Sequence, residues 1–127
     1  MENCTLSECE LLVMKVIWRS KETLSLQGIV AGVNGTYKRG WKQQTVSVFL
    51  GRIVRKNLLT SERRGRQFFY YPTMTEEEYC QAEAVRCVDM LSDGNADVFF
   101  AALAKARTLK AEEKERIRGL LDEMETR

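Results

Sequence analysis

Between Gln43 and Arg55 the chain sets amides, hydroxyls, methyl groups and cations on one side of a single stretch: Gln43, Gln44, Ser47, Val48, Arg52 and Arg55. Carboxamides form paired hydrogen bonds with the edge of adenine, the methyls of Thr45 and Val48 suit the thymine methyl, and guanidinium groups suit phosphate oxygens. Chemistry of this kind is recognition, with no bond made or broken. Histidine is absent from the chain, which removes the commonest general base, the usual triads and every His-ligated metal site. The four cysteines, Cys4, Cys9, Cys80 and Cys87, form no Cys-x-x-Cys pair and read as small buried or partly buried hydrophobes. A thiol or metal switch through Cys80 and Cys87, seven apart on one helix, is the alternative. The expectation is a protein that is not an enzyme, with no catalytic residue, no metal and no cofactor.

The element that must carry those polar groups is a helix within Lys42 to Leu59 that ends near Lys56-Asn57, where Asn57 can take a left-handed cap. Val46, Phe49, Leu50 and Ile53 recur at the i, i+3, i+4, i+7 spacing of a buried stripe, which turns the polar set outward. An amphipathic helix with a merely solvated face would show the same pattern, so its neighbours decide. Leu58 to Glu62 and Arg66 to Tyr71 read as two strands around Arg63-Arg64-Gly65, whose glycine suits a tight hairpin. Arg63, Arg64 and Arg66 then cluster at a projecting tip. A polar helix face beside an arginine-bearing hairpin is a groove-reading element with a phosphate clamp. Thr36 to Lys42 adds Lys38, Arg39 and Lys42 on a glycine-punctuated loop with two aromatics.

Two helices precede these. Ser7 with Glu10 is a capping box ahead of Leu11, Met14, Ile17 and Trp18, predicting a helix from about Ser7 to Arg19. Leu24-Ser25-Leu26 is a brief extended segment. The second helix turns Leu26, Ile29, Val30 and Val33 inward and is expected to stop at Asn34-Gly35, residues suited to a left-handed cap.

After Pro72, a second capping box at Thr75 and Glu78 opens a helix of about eighteen residues. Asp93-Gly94-Asn95 breaks it. Two further helices follow, over Ala96 to Ala104 and over Ala111 to Met124. Val85, Val88, Leu91, Val98, Phe99, Phe100, Leu103, Ile117, Leu120, Leu121 and Met124 make this tail apolar beyond what about fifty residues can bury alone. The economical partner is a second copy of the chain; the alternative is docking against its own N-terminal half.

Charge divides at the same place. Residues 1–74 carry twelve Lys and Arg against five Asp and Glu, net +7, whereas residues 75–127 carry eight against thirteen, net −5. A basic half suited to a polyanion precedes an acidic half with another task, unless the two simply attract each other. The expected domains are 1–74, a DNA-binding unit, and 75–127, a helical dimerisation unit. No apolar run approaches the roughly 20 residues needed to span a bilayer, and Met1-Glu2-Asn3-Cys4-Thr5 lacks the pattern of a secretory signal. The expected location is cytoplasmic, with no membrane partner.

The order helix, short strand, helix, helix, two-stranded wing and helical arm is that of a winged helix-turn-helix, mainly α with a small β wing. Leu6-Ser7 with Glu10 and Trp18, Trp41 with Thr45-Val46, Arg52 before Ile53, Arg55-Lys56-Asn57-Leu58-Leu59, Arg63 to Tyr70, Glu78-Tyr79 and Gly94 resemble the penicillinase-repressor family from Leu6 to about Met124. The resemblance implies a homodimeric repressor that binds a dyad operator in double-stranded DNA and blocks transcription. Gln43, Gln44, Thr45, Ser47 and Val48 would read bases. Arg39, Lys42, Arg52, Arg63, Arg64 and Arg66 would hold phosphates. The chain departs from the family twice. Where the resistance branch is released by cleavage of an Asn-Phe bond in the fifth helix, the corresponding pair is Ala102-Leu103. Where the copper branch has a C-terminal Cys-x-Cys, no cysteine follows Cys87. A regulatory protease or sensor is thus unidentified. The alternative function is a winged-helix protein-interaction module that docks an acidic partner through Trp41 and the basic face, without DNA.

Overall fold

A computed structural model describes residues 5–126 of the chain; Cys4 lies outside them. Among the described residues six helices and three strands follow in the order α1 (Glu8–Arg19), β1 (Leu24–Ser25), α2 (Leu26–Tyr37), α3 (Gln43–Arg55), β2 (Leu59–Arg64), β3 (Gln67–Pro72), α4 (Glu76–Ser92), α5 (Ala96–Ala106) and α6 (Ala111–Glu123). Internal packing divides the chain into two units, Met1–Glu83 and Ala84–Arg127.

The first unit is a winged helix. Ser7 accepts from the Glu10 N–H while the Glu10 carboxylate accepts from the Ser7 N–H, so two unpaired donors of α1 are satisfied reciprocally. Val13, Met14 and Ile17 of α1, Ile29 and Val33 of α2, and Val46, Leu50 and Ile53 of α3 then meet in one core closed by Leu58, Leu59 and Tyr79. Each fully buried aliphatic side chain there contributes about 1.5–3 kcal/mol. The approach of α1 to α2 depends on Gly32, where a Cβ would lie 2.6 Å from Val16 Cγ1.

The brief extended segment is a true strand. β1 pairs antiparallel with β3, Leu24 opposite Tyr70, which gives a three-stranded sheet in the order β1-β3-β2. β2 and β3 pair from Leu59 opposite Pro72 to Arg64 opposite Gln67. Arg63 and Arg64 therefore belong to β2 and not to the turn, contrary to the sequence expectation. The turn is Gly65-Arg66, with Gly65 at φ 63° in the left-handed region, the first central position at which a two-residue hairpin places glycine.

The end of α2 also differs from expectation. α2 runs past Asn34-Gly35 to Tyr37, and the left-handed cap falls on Lys38 at φ 54°. Asn34 stays helical, its carbonyl accepting from the Lys38 N–H at 3.1 Å while its side chain bonds Trp41. α3 begins at Gln43 and ends at Arg55, and Asn57 at φ 64° makes the left-handed exit, as expected.

The first turns of α4 belong to the same unit. The Thr75 and Glu78 capping box forms, with Glu78 Oε1 accepting from Thr75 N–H and Thr75 Oγ1 accepting from Glu78 N–H. Trp18 Nε1 donates to the Met74 carbonyl at 3.0 Å, the Tyr79 hydroxyl accepts from Leu6 N–H at 2.8 Å, and Arg19 pairs with Glu76 at 2.8 Å. Cys9 is half-buried, but Cys80 is exposed against expectation, because it follows Tyr79 and so points off the face of α4 that packs on α1.

In the second unit, Asp93 and Gly94 take positive φ and end α4, as expected for the Asp93-Gly94-Asn95 breaker. Neither α5 nor α6 contains a buried residue. Val85, Leu91, Val98, Phe100, Leu103, Leu120, Leu121 and Met124 are exposed, while Val88, Phe99 and Ile117 are half-buried. Ala102 and Leu103 lie exposed on α5, and Cys87 is half-buried on α4. Among the described residues no helix is long and apolar enough to cross a membrane.

Candidate nucleic-acid interface

α3 owes its orientation to Val46, Leu50 and Ile53, all at 0% exposure. With that stripe anchored, the helical period turns Gln43, Gln44, Thr45, Ser47, Val48, Arg52 and Arg55 to solvent. Val48 is an exposed apolar residue at 52% amid amides and hydroxyls, a composition that suits a thymine methyl better than bulk water. Lys42 supplies no side-chain cap to α3, so the positive end of the helix dipole opens toward the loop that carries Lys38, Arg39 and Lys42.

That loop is held by Asn34, a contribution the sequence reading missed because Asn34-Gly35 mimics a helix stop. Asn34 Nδ2 donates to the Trp41 carbonyl at 2.9 Å and Asn34 Oδ1 accepts from the Trp41 N–H at 2.8 Å. The indole then packs 5.0 Å from the Phe49 ring at a tilt of 54°. Arg39 lies 6.0 Å from the Trp41 ring and Arg52 lies 6.0 Å from the Phe49 ring, the outer range of a cation–π contact.

The wing places its arginines unequally. Arg64 lies over Phe69 at 4.8 Å and Tyr71 at 5.8 Å. Its Nε donates to Glu62 Oε1 at 2.7 Å, its Nη2 donates to the Tyr71 hydroxyl, and that hydroxyl donates to Glu62 at 3.1 Å. The hydrogen bonds from Arg64 and Tyr71 hold the Glu62 carboxyl below its ordinary range, so the pair is charged at neutral pH. Arg63 sits on the other sheet face, over Phe68 at 6.0 Å with its Nε on the Gly65 carbonyl. Arg66 stands exposed in the turn. The fold thus gathers the expected residues on α3, its preceding loop and the wing. The Glu62 and Tyr71 partners of Arg64 were legible only from the β2–β3 register.

A second structural tie steadies α3. Lys56, at its C-terminal cap, donates to Glu10 Oε1 at 2.6 Å and to the Thr5 carbonyl at 2.9 Å. Burial, the largest single influence on Glu10, pushes its carboxyl up, but the Lys56 and Ser7 hydrogen bonds and the Lys56 charge outweigh it and leave the pKa lowered.

Comparison with known proteins places this geometry. The penicillinase repressor family profile matches residues 6–123. The chain is 25% identical over 122 residues to a penicillinase repressor of Bacillus licheniformis, covering 96% of this chain and 93% of that protein. It is 30% identical over 105 residues to an uncharacterized 16.5 kDa protein in the ptsI 3' region of Latilactobacillus sakei, covering 83% of this chain and 68% of the relative. The solution structure of the DNA-binding domain of the repressor BlaI matches with a TM-score of 0.52 at 29% identity, over 62% of this chain and 94% of that domain.

Proposed function

Because the chain belongs to the penicillinase repressor family, and is on that ground a DNA-binding transcriptional repressor, we propose that it sits as a homodimer on a dyad operator. In this reading residues 1–74 grip the duplex and residues 75–127 pair two copies. The observation that carries the DNA-reading role is the outward face of α3, set by the completely buried Val46, Leu50 and Ile53. Gln43, Gln44, Thr45, Ser47 and Val48 read base edges in the major groove, with Gln44 suited to a bidentate pair on adenine. Arg39, Lys42 and Arg52 hold backbone phosphates, and Arg63, Arg64 and Arg66 extend the contact along the wing. Family membership favours duplex over an acidic protein as the partner of the basic face. A repressor of this kind acts in the cytoplasm, where its promoter lies.

Footprinting on the promoter upstream of the chain's own coding region locates the site and the half-site spacing. On that site, Gln44→Ala costs about 1–3 kcal/mol and leaves bulk-duplex binding nearly unchanged. Equal weakening on every sequence would remove Gln44 from base reading.

A further inference from the structure

Asn34 lies in the last turn of α2 and is half-buried rather than part of the exposed cationic surface. Its carboxamide instead makes two opposed hydrogen bonds with Trp41, at 2.8 and 2.9 Å. This bridge closes the segment between α2 and α3 into a ring. Inside the ring Lys38, the left-handed C-cap of α2, and Gly40 take φ 54° and 63°, a backbone conformation uncommon for a lysine. Trp41, so held, packs on Phe49 of α3, and Arg39 and Arg52 flank the aromatic pair on either side.

We propose that Asn34 is a positioning residue for duplex binding: by pinning Trp41 against Phe49 it sets where Arg39 stands relative to Arg52 and to the first turn of α3, so that the cations meet phosphates together. The proposal rests on α3 being the groove-facing element. Without the bridge, Arg39 rides on a loop of glycine and long polar side chains and loses its orientation, while the buried stripe of α3 is untouched.

The test uses the full chain and bulk duplex DNA titrated across a salt series. Asn34→Ala lowers affinity on the order of tenfold at low salt and flattens the log–log salt slope by about 0.9 for each phosphate no longer neutralised. In an Arg39→Gln/Arg52→Gln background the same substitution has no further effect, a non-additivity that a general loss of stability would not produce. Asn34→Leu, nearly isosteric and uncharged, removes both hydrogen bonds to Trp41, shifts affinity and slope the same way and carries the test if the alanine variant melts early. Wild-type affinity and slope in the Asn34 variants, or an equal loss in the double-glutamine background, overturn the positioning role. Failure of the unaltered chain to bind duplex would instead remove the reading on which it rests.

Discussion

If Arg64 holds a phosphate as proposed, Glu62 competes with DNA for it. In the protein alone the carboxylate and the Tyr71 hydroxyl occupy two of the guanidinium's donors, and an exposed pair of this kind is worth little to the fold. On the proposed reading a phosphate would displace it readily, and the displaced carboxylate, two residues from Arg64, would repel the duplex. Glu62→Gln is expected to raise affinity for any duplex severalfold, as one fewer negative charge faces the backbone, with a salt slope steeper by up to about 0.9. Titration of bulk duplex across salt checks it. A loss of affinity would mean that Glu62 orients Arg64 for the phosphate. Sequence alone marked Arg64 as a cation near a turn, which was correct as far as composition goes. What it holds depends on Glu62 and Tyr71 lying on the same sheet face, a consequence of register.

Among the elements, α1, α2 and α3 are joined by one close approach and one charged clasp, and each yields a measurable effect. Gly32→Ala gains up to about 1 kcal/mol of helix propensity but drives a methyl to 2.6 Å from Val16 Cγ1, and overpacking costs about 1–3 kcal/mol. The net expectation is a destabilised domain, relieved by Val16→Ala, as read by denaturant unfolding of both variants. The clasp is Glu10 on Lys56. Because the folded pKa of Glu10 lies below its ordinary 4.5, the unfolded chain binds the proton more readily. The stabilisation is thus complete above about pH 4.5 and is lost as pH falls through the lowered folded value. Thermal melts from about pH 3 to 6 should show a smaller acid loss in Glu10→Gln than in the unaltered chain. At neutral pH Glu10→Ala should cost roughly 2 kcal/mol, as expected for hydrogen bonds to a charged group. An identical pH profile in both chains would remove Glu10 as a source of acid sensitivity.

For the whole molecule, the unpaired surface is the second unit. Leu91 at 76%, Leu120 at 62% and Met124 at 63% exposure are far from an apolar resting place, and no residue of α5 or α6 is fully buried within one copy. Exposed apolar surface on this scale marks an interface, and symmetric pairing is the commonest way to cover it. The intact chain is expected to sediment as a dimer at micromolar concentration, and Leu120→Lys/Leu121→Lys as a monomer with weakened binding to a two-half-site operator. A monomeric intact chain would reject the dimer and, with it, the dyad. Boundaries show the same dependence on assembly. Charge and the capping box led to an expected boundary at 74/75, but internal packing carries the first unit to Glu83, because Tyr79 enters the N-terminal core and bonds Leu6.

What the residues determined by themselves were the features with a short range: the buried stripe of α3, the capping boxes at Ser7 and Thr75, the breaker at Asp93-Gly94, and a basic front joined to an apolar tail. Each depends on neighbours within a turn or two of helix, so spacing suffices to read it. Tertiary structure decided where α2 ends, that Leu24-Ser25 completes a sheet, which arginine is already occupied, and that Asn34 serves Trp41. Those outcomes hang on partners brought together by the return of the chain, and a hydrogen-bonding side chain in sequence carries no mark of which of its possible partners the fold will deliver.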